Sequence, residues 1–140
     1  MARTRSLLIL GLIALFTPLA LLFFTRSRQD EAVYLVYTAV FEVDASLADH
    51  FSVGEHLIDA RGKEDAGEII KITRDACYRE DVGGVYPLSD RVTLAITMGG
   101  EGKRRGNEVC IGTLTPRTGE AIYLLGAGRL EGICVKVGAV

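Results

Sequence analysis

Two histidines and three carboxylates lie close together in the sequence and are the residues best suited to acid-base or metal chemistry. They are His50, His56, Asp49, Glu55 and Asp59. Imidazole and carboxylate groups bind transition metals and exchange protons near neutral pH. Their spacing matches no established ligand pattern, and polar residues at turns produce the same composition. We therefore expect no catalytic residue, no metal and no cofactor.

Cys110 is a candidate nucleophile, because a histidine precedes it and Arg117 follows it, which is the chain order in sortases. With His50 or His56 as the base, it could serve a small envelope cysteine hydrolase or transpeptidase. However, Cys110 lacks the Thr-Leu-x-Thr-Cys context of those enzymes and lies in an apparent strand. We expect a protein that is not an enzyme and keep the cysteine enzyme as the alternative.

The chain has three cysteines, Cys77, Cys110 and Cys134, which are too few for a dense disulfide framework. Cys110 and Cys134 both fall in the second half of the chain. If the domain lies outside the cytoplasm, these two residues can form a disulfide that leaves Cys77 free. Unpaired, largely buried thiols are the other interpretation.

Three consecutive cations, Lys103, Arg104 and Arg105, lie between glycines in the segment Gly99 to Gly106, which we predict to be a flexible loop. At a mobile tip they could contact anionic lipid head groups, an envelope polymer or an acidic protein, or simply be solvated. The chain as a whole has a formal charge of -2 and a pI near 5.7, which argues against a nucleic-acid partner.

The N-terminal region carries an uncharged run from Ser6 to Thr25, close to the length that a bilayer core requires. We predict a transmembrane helix over 7–25 after a short basic tail of 1–6. A cleaved signal peptide is the alternative, but its apolar region would be shorter and would end in small residues, whereas this one ends in Phe23 and Phe24. We therefore expect residues 7–25 to contact the lipid bilayer.

Arginines flank the predicted span equally, with Arg3 and Arg5 before it and Arg26 and Arg28 after it. Short basic N-terminal tails commonly remain in the cytoplasm, so we expect the following domain to be extracytoplasmic. The linker of 26–31 is short and polar, and it connects the span to a domain over 32–140.

Alternating apolar residues predict that this domain is all-β. The clearest strands are Val33 to Val43 and Val92 to Met98, which have an apolar residue at every second position. His56 to Asp59 and Gly67 to Thr73 predict further strands, and Asp44 to Phe51 a helical turn with Asp44 as its N-cap. The mixed, charged stretch from Arg74 to Asp90 is predicted to be a long connection.

An internal repeat is the sharpest pattern in the sequence. Gly54-Glu55, Leu57, Gly67 and Ile70-Lys71-Ile72 recur at identical spacing as Gly119-Glu120, Ile122, Gly132 and Val135-Lys136-Val137. The four glycines are expected at structural turns and strand starts. Two copies are too few for a solenoid, so halves of about 32–73 and 91–138 predict a small β-barrel with a pseudo-twofold axis.

The N-terminal span, the Val53-Gly54-Glu55 turn, the stretch Gly67 to Ile72 and the later Gly119/Gly132 copy resemble a family of bacterial membrane-anchored proteins with a duplicated β domain of unknown function. The resemblance covers most of the chain and rests on glycines and apolar positions. It implies a bacterial cell envelope and carries no catalytic residues.

No nucleophile, acid-base pair or phosphate loop forms a coherent group in the sequence, which favours an interaction or accessory module of an envelope-assembly or export complex. We expect a protein partner in the envelope. A barrel that binds a lipid or glycan is a further alternative, although the apolar faces are sufficient to fill so small a barrel. The sequence leaves the oligomeric state open.

Overall fold

The N-terminal unit consists of one helix. The computed structural model describes the backbone of residues 2–27 and 30–140 and the side chains of 9–21 and 30–140. Helix α1 covers Ala2–Ser27 and contains Pro18. Within the part of the chain whose side chains are described, no helix is long and apolar enough to cross a membrane. The predicted span of 7–25 includes side chains outside that part, and the predicted linker of 26–31 includes residues 28 and 29, which also lie outside it.

The second unit, Glu31–Val140, is all-β, as predicted. Its elements are β1 (Glu31–Asp44), α2 (Ala45–Ala48), β2 (His56–Asp59), β3 (Asp65–Asp81), β4 (Gly84–Arg105), β5 (Glu108–Cys110), β6 (Ala121–Leu125) and β7 (Arg129–Ala139). All pairings are antiparallel. Six strands form a closed ring in the order β1, β7, β6, β2, β3, β4 and back to β1. The short β5 adds to β4 beyond the start of β3.

The interior of the ring is filled by the alternating apolar residues of its strands. The faces predicted for the two long strands are confirmed, since every second residue of β1 from Val33 to Val43 and of β4 from Val92 to Met98 is buried. Residues Ala48 and Phe51, in and after α2, join the same core. Asp44 precedes α2, but its side chain does not cap the helix and instead lies 3.4 Å from Arg91. The predicted helical turn and the N-cap position of Asp44 are confirmed, but Asp44 makes no side-chain capping hydrogen bond.

The two copies of the repeat have matching hydrogen bonds. The Gly54 N–H donates to the Ile69 carbonyl at 2.8 Å, and the Gly119 N–H donates to the Cys134 carbonyl at 2.7 Å. Gly54 and Gly119 have φ values of 94° and 87°, which favour glycine at these turns. Each copy then has a one-residue irregularity just after this bond, in β3 between Ile69 and Lys71 and in β7 opposite Thr38 and Ala39.

The order of strands in the ring also shows that the two halves correspond to each other. Exchanging β1 with β4, β2 with β6, and β3 with β7 leaves the order of neighbours unchanged. The pairing of His56 with Glu68 and Leu57 with Gly67 in one half corresponds to Ala121 with Ile133 and Ile122 with Gly132 in the other. The halves therefore differ chiefly in length. Strand β3 continues beyond the point that corresponds to the end of β7, and β4 begins before the point that corresponds to the start of β1.

Two segments that we predicted to be irregular are strands. The predicted connection from Arg74 to Asp90 contains the end of β3, a tight turn at Val82-Gly83 and the start of β4. The predicted loop from Gly99 to Gly106 is strand up to Arg105, where β4 pairs with β1 on one side and with β5 on the other. Ladder hydrogen bonds to both neighbours outweigh the low strand propensity of glycine and charged residues.

Candidate functional site

The most prominent feature outside the ring is a two-stranded arm, formed by residues Cys77–Asp81 of β3 and Gly84–Leu88 of β4. These segments pair with each other, from Cys77 with Leu88 to Asp81 with Gly84. Strand β1, the other neighbour of β4, ends at Asp44 opposite Arg91, so it does not reach the arm. At the tip, the Gly83 N–H donates to the Asp81 carboxylate at 2.7 Å. The arm thus extends from the end of the ring opposite to Glu31.

The arm exposes large apolar side chains to solvent. Tyr78 is 65% exposed, Val85 is 62% exposed and Tyr86 is 48% exposed, while Val82 at the tip is fully exposed. A ribbon of two strands cannot bury such side chains by itself. Clusters of exposed apolar residues on soluble domains mark sites of interaction with other molecules. The arm is therefore the best candidate for a binding surface.

The residues of the candidate cysteine enzyme have other partners. The Cys110 thiol, on β5, lies 3.6 Å from the Lys103 carbonyl oxygen, to which it donates. The His56 imidazole lies 3.1 Å from the Asp65 carboxylate, and Arg117 forms ion pairs with Glu108 and Glu120. Among the described residues, no hydrogen bond joins Cys110 to a histidine. The structure does not bring these groups together as a nucleophile and its base.

The predicted disulfide is absent from the structure, in which Cys77, Cys110 and Cys134 are all free. Cys110 lies on β5, next to β4, whereas Cys134 lies on β7, between β1 and β6. These strands are not neighbours in the sheet, and this separation is the reason that the pairing fails. Burial raises the pKa of the Cys134 thiol above its ordinary value, which favours the unreactive protonated form.

The three consecutive cations lie at the opposite end of the ring from the arm. Lys103 pairs with Ala32 and Arg104 with Glu31, so this basic segment lies beside the first residues of β1. The Arg104 guanidinium is 3.7 Å from the Glu31 carboxylate. An open cleft of about 710 Å³ adjoins the segment and is lined by Lys103, Cys110, Glu64 and Glu101 among others. These cations are the last residues of β4, directly before the turn at Gly106-Asn107 that leads into β5, so they lie near a hairpin tip as predicted, although on a strand and not in the predicted loop.

The carboxylate and histidine cluster does not form a metal site. Within the described residues, no group of three or more His, Cys, Asp or Glu side chains is placed to hold a metal ion. Asp59 is buried, and it accepts hydrogen bonds from the Thr113 hydroxyl at 2.8 Å and from the Arg61 N–H at 3.2 Å. Its role is to join the turn after β2 to the segment after β5.

A second cationic surface lies beside this turn. The Arg61 guanidinium carbon is 4.8 Å from the centre of the Tyr123 ring, and that of Arg129 is 6.0 Å from it. Arg129 also pairs with Glu131 at 3.0 Å. Cation–π contacts and an ion pair account for this cluster without a ligand.

Sequence reasoning missed the arm, although one signal pointed to it. Gly83-Gly84 is a typical turn between strands, and Tyr78 and Tyr86 are typical strand residues on either side of it. Comparison with protein-family models, with curated proteins and with solved structures gives no match for this chain.

Proposed function

We propose that this protein is a non-enzymatic, membrane-anchored interaction module whose arm binds a protein partner in a bacterial cell envelope. The observation that carries the proposal is the exposure of Tyr78, Val82, Val85 and Tyr86 on a ribbon that no other strand of the described domain covers. In the described part of the chain, no base is hydrogen-bonded to Cys110, which supports a role other than catalysis. An accessory role in envelope assembly or export is consistent with such a surface.

The anchor in this proposal is the segment 7–25 within α1. A helix of 26 residues is about 39 Å long at 1.5 Å per residue, and the run from Ser6 to Thr25 carries no charge. We expect the full chain to stay in the membrane pellet after an alkaline wash, and a chain without 7–25 to be released. Release of the full chain would contradict the anchor, and so would a mature N-terminus after residue 25.

We propose that the domain is extracytoplasmic and that its basic segment is able to contact anionic lipid head groups. Lys103 and Arg104 pair directly with the first residues of β1 and are therefore suited to anionic lipids.

Site-specific photo-crosslinking in intact cells tests the arm as the binding surface. A photoreactive residue at Val82 or Tyr86 is expected to give a crosslinked product of one defined mass, because both side chains would contact the partner. The matched control is Val53, which is 64% exposed but lies in a turn of the ring. Val53 should give no such product.

A second variant makes the result specific to the apolar surface. Tyr78→Ser combined with Val85→Ser keeps the ribbon and its turn but removes exposed apolar area, so the product from Val82 should decrease at least fivefold. Equal products from Val53 and Val82, or a product that the double variant leaves unchanged, would count against the arm as the binding surface.

We also propose that the ring is a small barrel built by duplication of one unit. The matching turns at Gly54 and Gly119 and the matching strand order support this proposal. If the halves are equivalent, alanine at Gly54 and at Gly119 should cause similar losses of stability, because both glycines have a positive φ and an N–H that donates to the corresponding carbonyl. A loss at only one of the two positions would argue against it.

A further inference from the structure

In the part of the chain that the structure describes, the outer edge of β3 from Lys71 to Asp81 has no neighbouring strand, and we propose that it pairs antiparallel with the same edge of a second copy. In the proposed register, Cys77 of one chain lies opposite Cys77 of the other, on the twofold axis. This inference rests on the proposed function, because it identifies a second copy as a partner of the arm.

The edge is free because β2 is much shorter than β3. Strand β2 pairs with β3 only between Asp65 and Glu68, and the flanking turn adds bonds to Ile69. From Lys71 onward, β3 pairs only with β4. A row of unpaired N–H and carbonyl groups is a template for another strand, and β-strand addition is a common mode of recognition.

The two free edges of the arm differ in their ability to pair with an added strand. The β4 edge carries Pro87, which lacks an N–H and interrupts a ladder. The β3 edge from Lys71 to Asp81 contains neither proline nor glycine, and its residues are exposed except Ile72, which is half-buried, and Cys77, which is buried. The β3 edge is thus the one that can accept a full strand.

The charges on this edge are complementary to themselves. With Cys77 on the axis, Arg74 lies opposite Glu80 and Asp75 lies opposite Arg79, and each pair occurs twice in the dimer. Because of the twofold axis, one residue must lie opposite itself, so the two neighbouring registers place Ala76 or Tyr78 on the axis. Both registers separate Arg74 from Glu80 and Asp75 from Arg79, and the register with Tyr78 on the axis also brings Asp75 opposite Asp81, where like charges are unfavourable.

The apolar residues agree with the same register. Tyr78, which is largely exposed in one chain, would lie opposite the small side chain of Ala76. Ile72 would lie opposite Val82, which is fully exposed. A large residue opposite a small one fills the space between strands without overlap, and both pairs remove apolar surface from water.

Several charges on this edge lack partners in their own chain. Of the residues that the structure describes, Asp75, Arg79 and Glu80 form no ion pair within the chain, whereas Arg74 lies 2.6 Å from the Asp49 carboxylate. Arg91, at the base of the arm, is paired with Glu42 at 2.8 Å. The Asp75–Arg79 pair is therefore the contact that dimer formation would add most cleanly, and it is the one to test.

Sedimentation of the full chain in a density-matched detergent measures the dimer dissociation constant. We expect a reversible dimer for the natural sequence. Arg79→Asp would place carboxylates opposite each other at two points, so the dissociation constant should rise at least tenfold. The charge swap Asp75→Arg with Arg79→Asp should restore it to within about threefold. The control Lys71→Asp, on the same edge but opposite Gly83, should leave it unchanged.

Cysteine crosslinking gives an independent measure of the register. Both pairs of cysteines are introduced together with Cys77→Ser, because Cys77 would otherwise face itself on the axis and could form a covalent dimer in either variant. Asp75→Cys with Arg79→Cys should form a covalent dimer under mild oxidation, because these positions face each other across the axis. Thr73→Cys with Arg79→Cys should not, because residue 73 faces residue 81. Circular dichroism shows whether each variant is folded.

The proposal is overturned if the natural chain is monomeric, if Arg79→Asp leaves the dimer intact, or if the charge swap fails to restore it. A monomeric chain whose arm still gives a photo-crosslinked product with a mass other than twice its own would overturn the dimer and leave the interaction module standing. A monomeric chain whose arm also gives no photo-crosslinked product would overturn the proposed function as well.

Discussion

Replacing Gly132 by alanine is expected to lower the free energy of unfolding of the domain by about 3 kcal/mol, because overpacking at a fixed backbone contact is costly. The added methyl carbon would lie 2.2 Å from the Val40 carbonyl oxygen and 2.6 Å from the Phe41 ring. Gly132 pairs with Phe41 on one side and with Ile122 on the other. Neither neighbour can move away without loss of ladder hydrogen bonds.

Alanine normally gains about 0.5–1 kcal/mol over glycine in a strand, and this gain is too small to offset the overlap. A loss of about 3 kcal/mol should lower the melting temperature by about 15 °C for a domain of this size. Thermal and urea unfolding monitored by circular dichroism would measure both quantities.

Gly138 provides the matched control on the same strand. A methyl carbon there would come no closer than 4.0 Å to any neighbour, so Gly138→Ala should change stability by less than about 0.5 kcal/mol. Gly67, the counterpart of Gly132, has a φ of 112° and would bring a methyl carbon within 2.9 Å of the Gly99 carbonyl oxygen. Equal effects at Gly132 and Gly138 would show that the close approach to Val40 is not what requires glycine.

Replacing Tyr37 by phenylalanine is expected to cost about 2 kcal/mol at pH 7, the typical penalty for an unsatisfied buried acceptor. Tyr37 is fully buried, and its hydroxyl donates to the Ala66 carbonyl at 2.6 Å. Ala66 lies at an irregularity in the β2–β3 pairing, since Leu57 pairs with Gly67 and Ile58 with Asp65. The Tyr37 hydroxyl thus donates a hydrogen bond to the carbonyl of Ala66, a residue that has no partner in the β2–β3 pairing.

The pH dependence of stability provides a second measurement of the same residue. Burial raises the pKa of Tyr37 well above its ordinary value, so the phenol stays neutral in the folded domain. The unfolded chain loses this proton near pH 10, so above that pH the unfolded state binds fewer protons than the folded state. Stability is therefore fully present below about pH 10 and falls by about 1.4 kcal/mol per pH unit above it.

Tyr37→Phe lacks this contribution, so its stability should approach that of the natural domain as the pH rises above about 11. Tyr34→Phe, at a half-exposed position on the same strand, is the control, and because it keeps Tyr37 its stability should fall above about pH 10 as that of the natural domain does. Urea unfolding at several pH values measures the difference. A constant gap between Tyr37→Phe and the natural domain would contradict the argument.

The alternating residues of β1 and β4 could be assigned to the core from sequence, because one-sided burial leaves a period of two in the chain. Val33 and Val43 lie at the ends of one buried face, as predicted. The glycine turns at Gly54 and Gly119 could also be located, since a positive φ restricts the residue type. The alternating apolar residues and the glycine turns together identify the repeat in the sequence.

The arm and the basic segment could not be predicted in the same way. Tyr78 and Tyr86 belong to a ribbon that is exposed on both faces, so no alternation marks it as a strand. Lys103 and Arg104 are strand residues only because β1 and β5 lie on either side of them. The residue pattern of a short segment does not identify strand partners that come from distant parts of the chain.

The sequence by itself determined the all-β character of the domain, its two longest strands and the positions of its matching turns, because burial and backbone conformation restrict residue type locally. Tertiary structure alone decided that Cys110 and Cys134 lie on separate strands, that Arg104 lies beside Glu31 and that β3 has a free edge. These features depend on which strands pair and on where each pairing ends. Long-range strand order sets both, and residues far apart in the chain determine that order together.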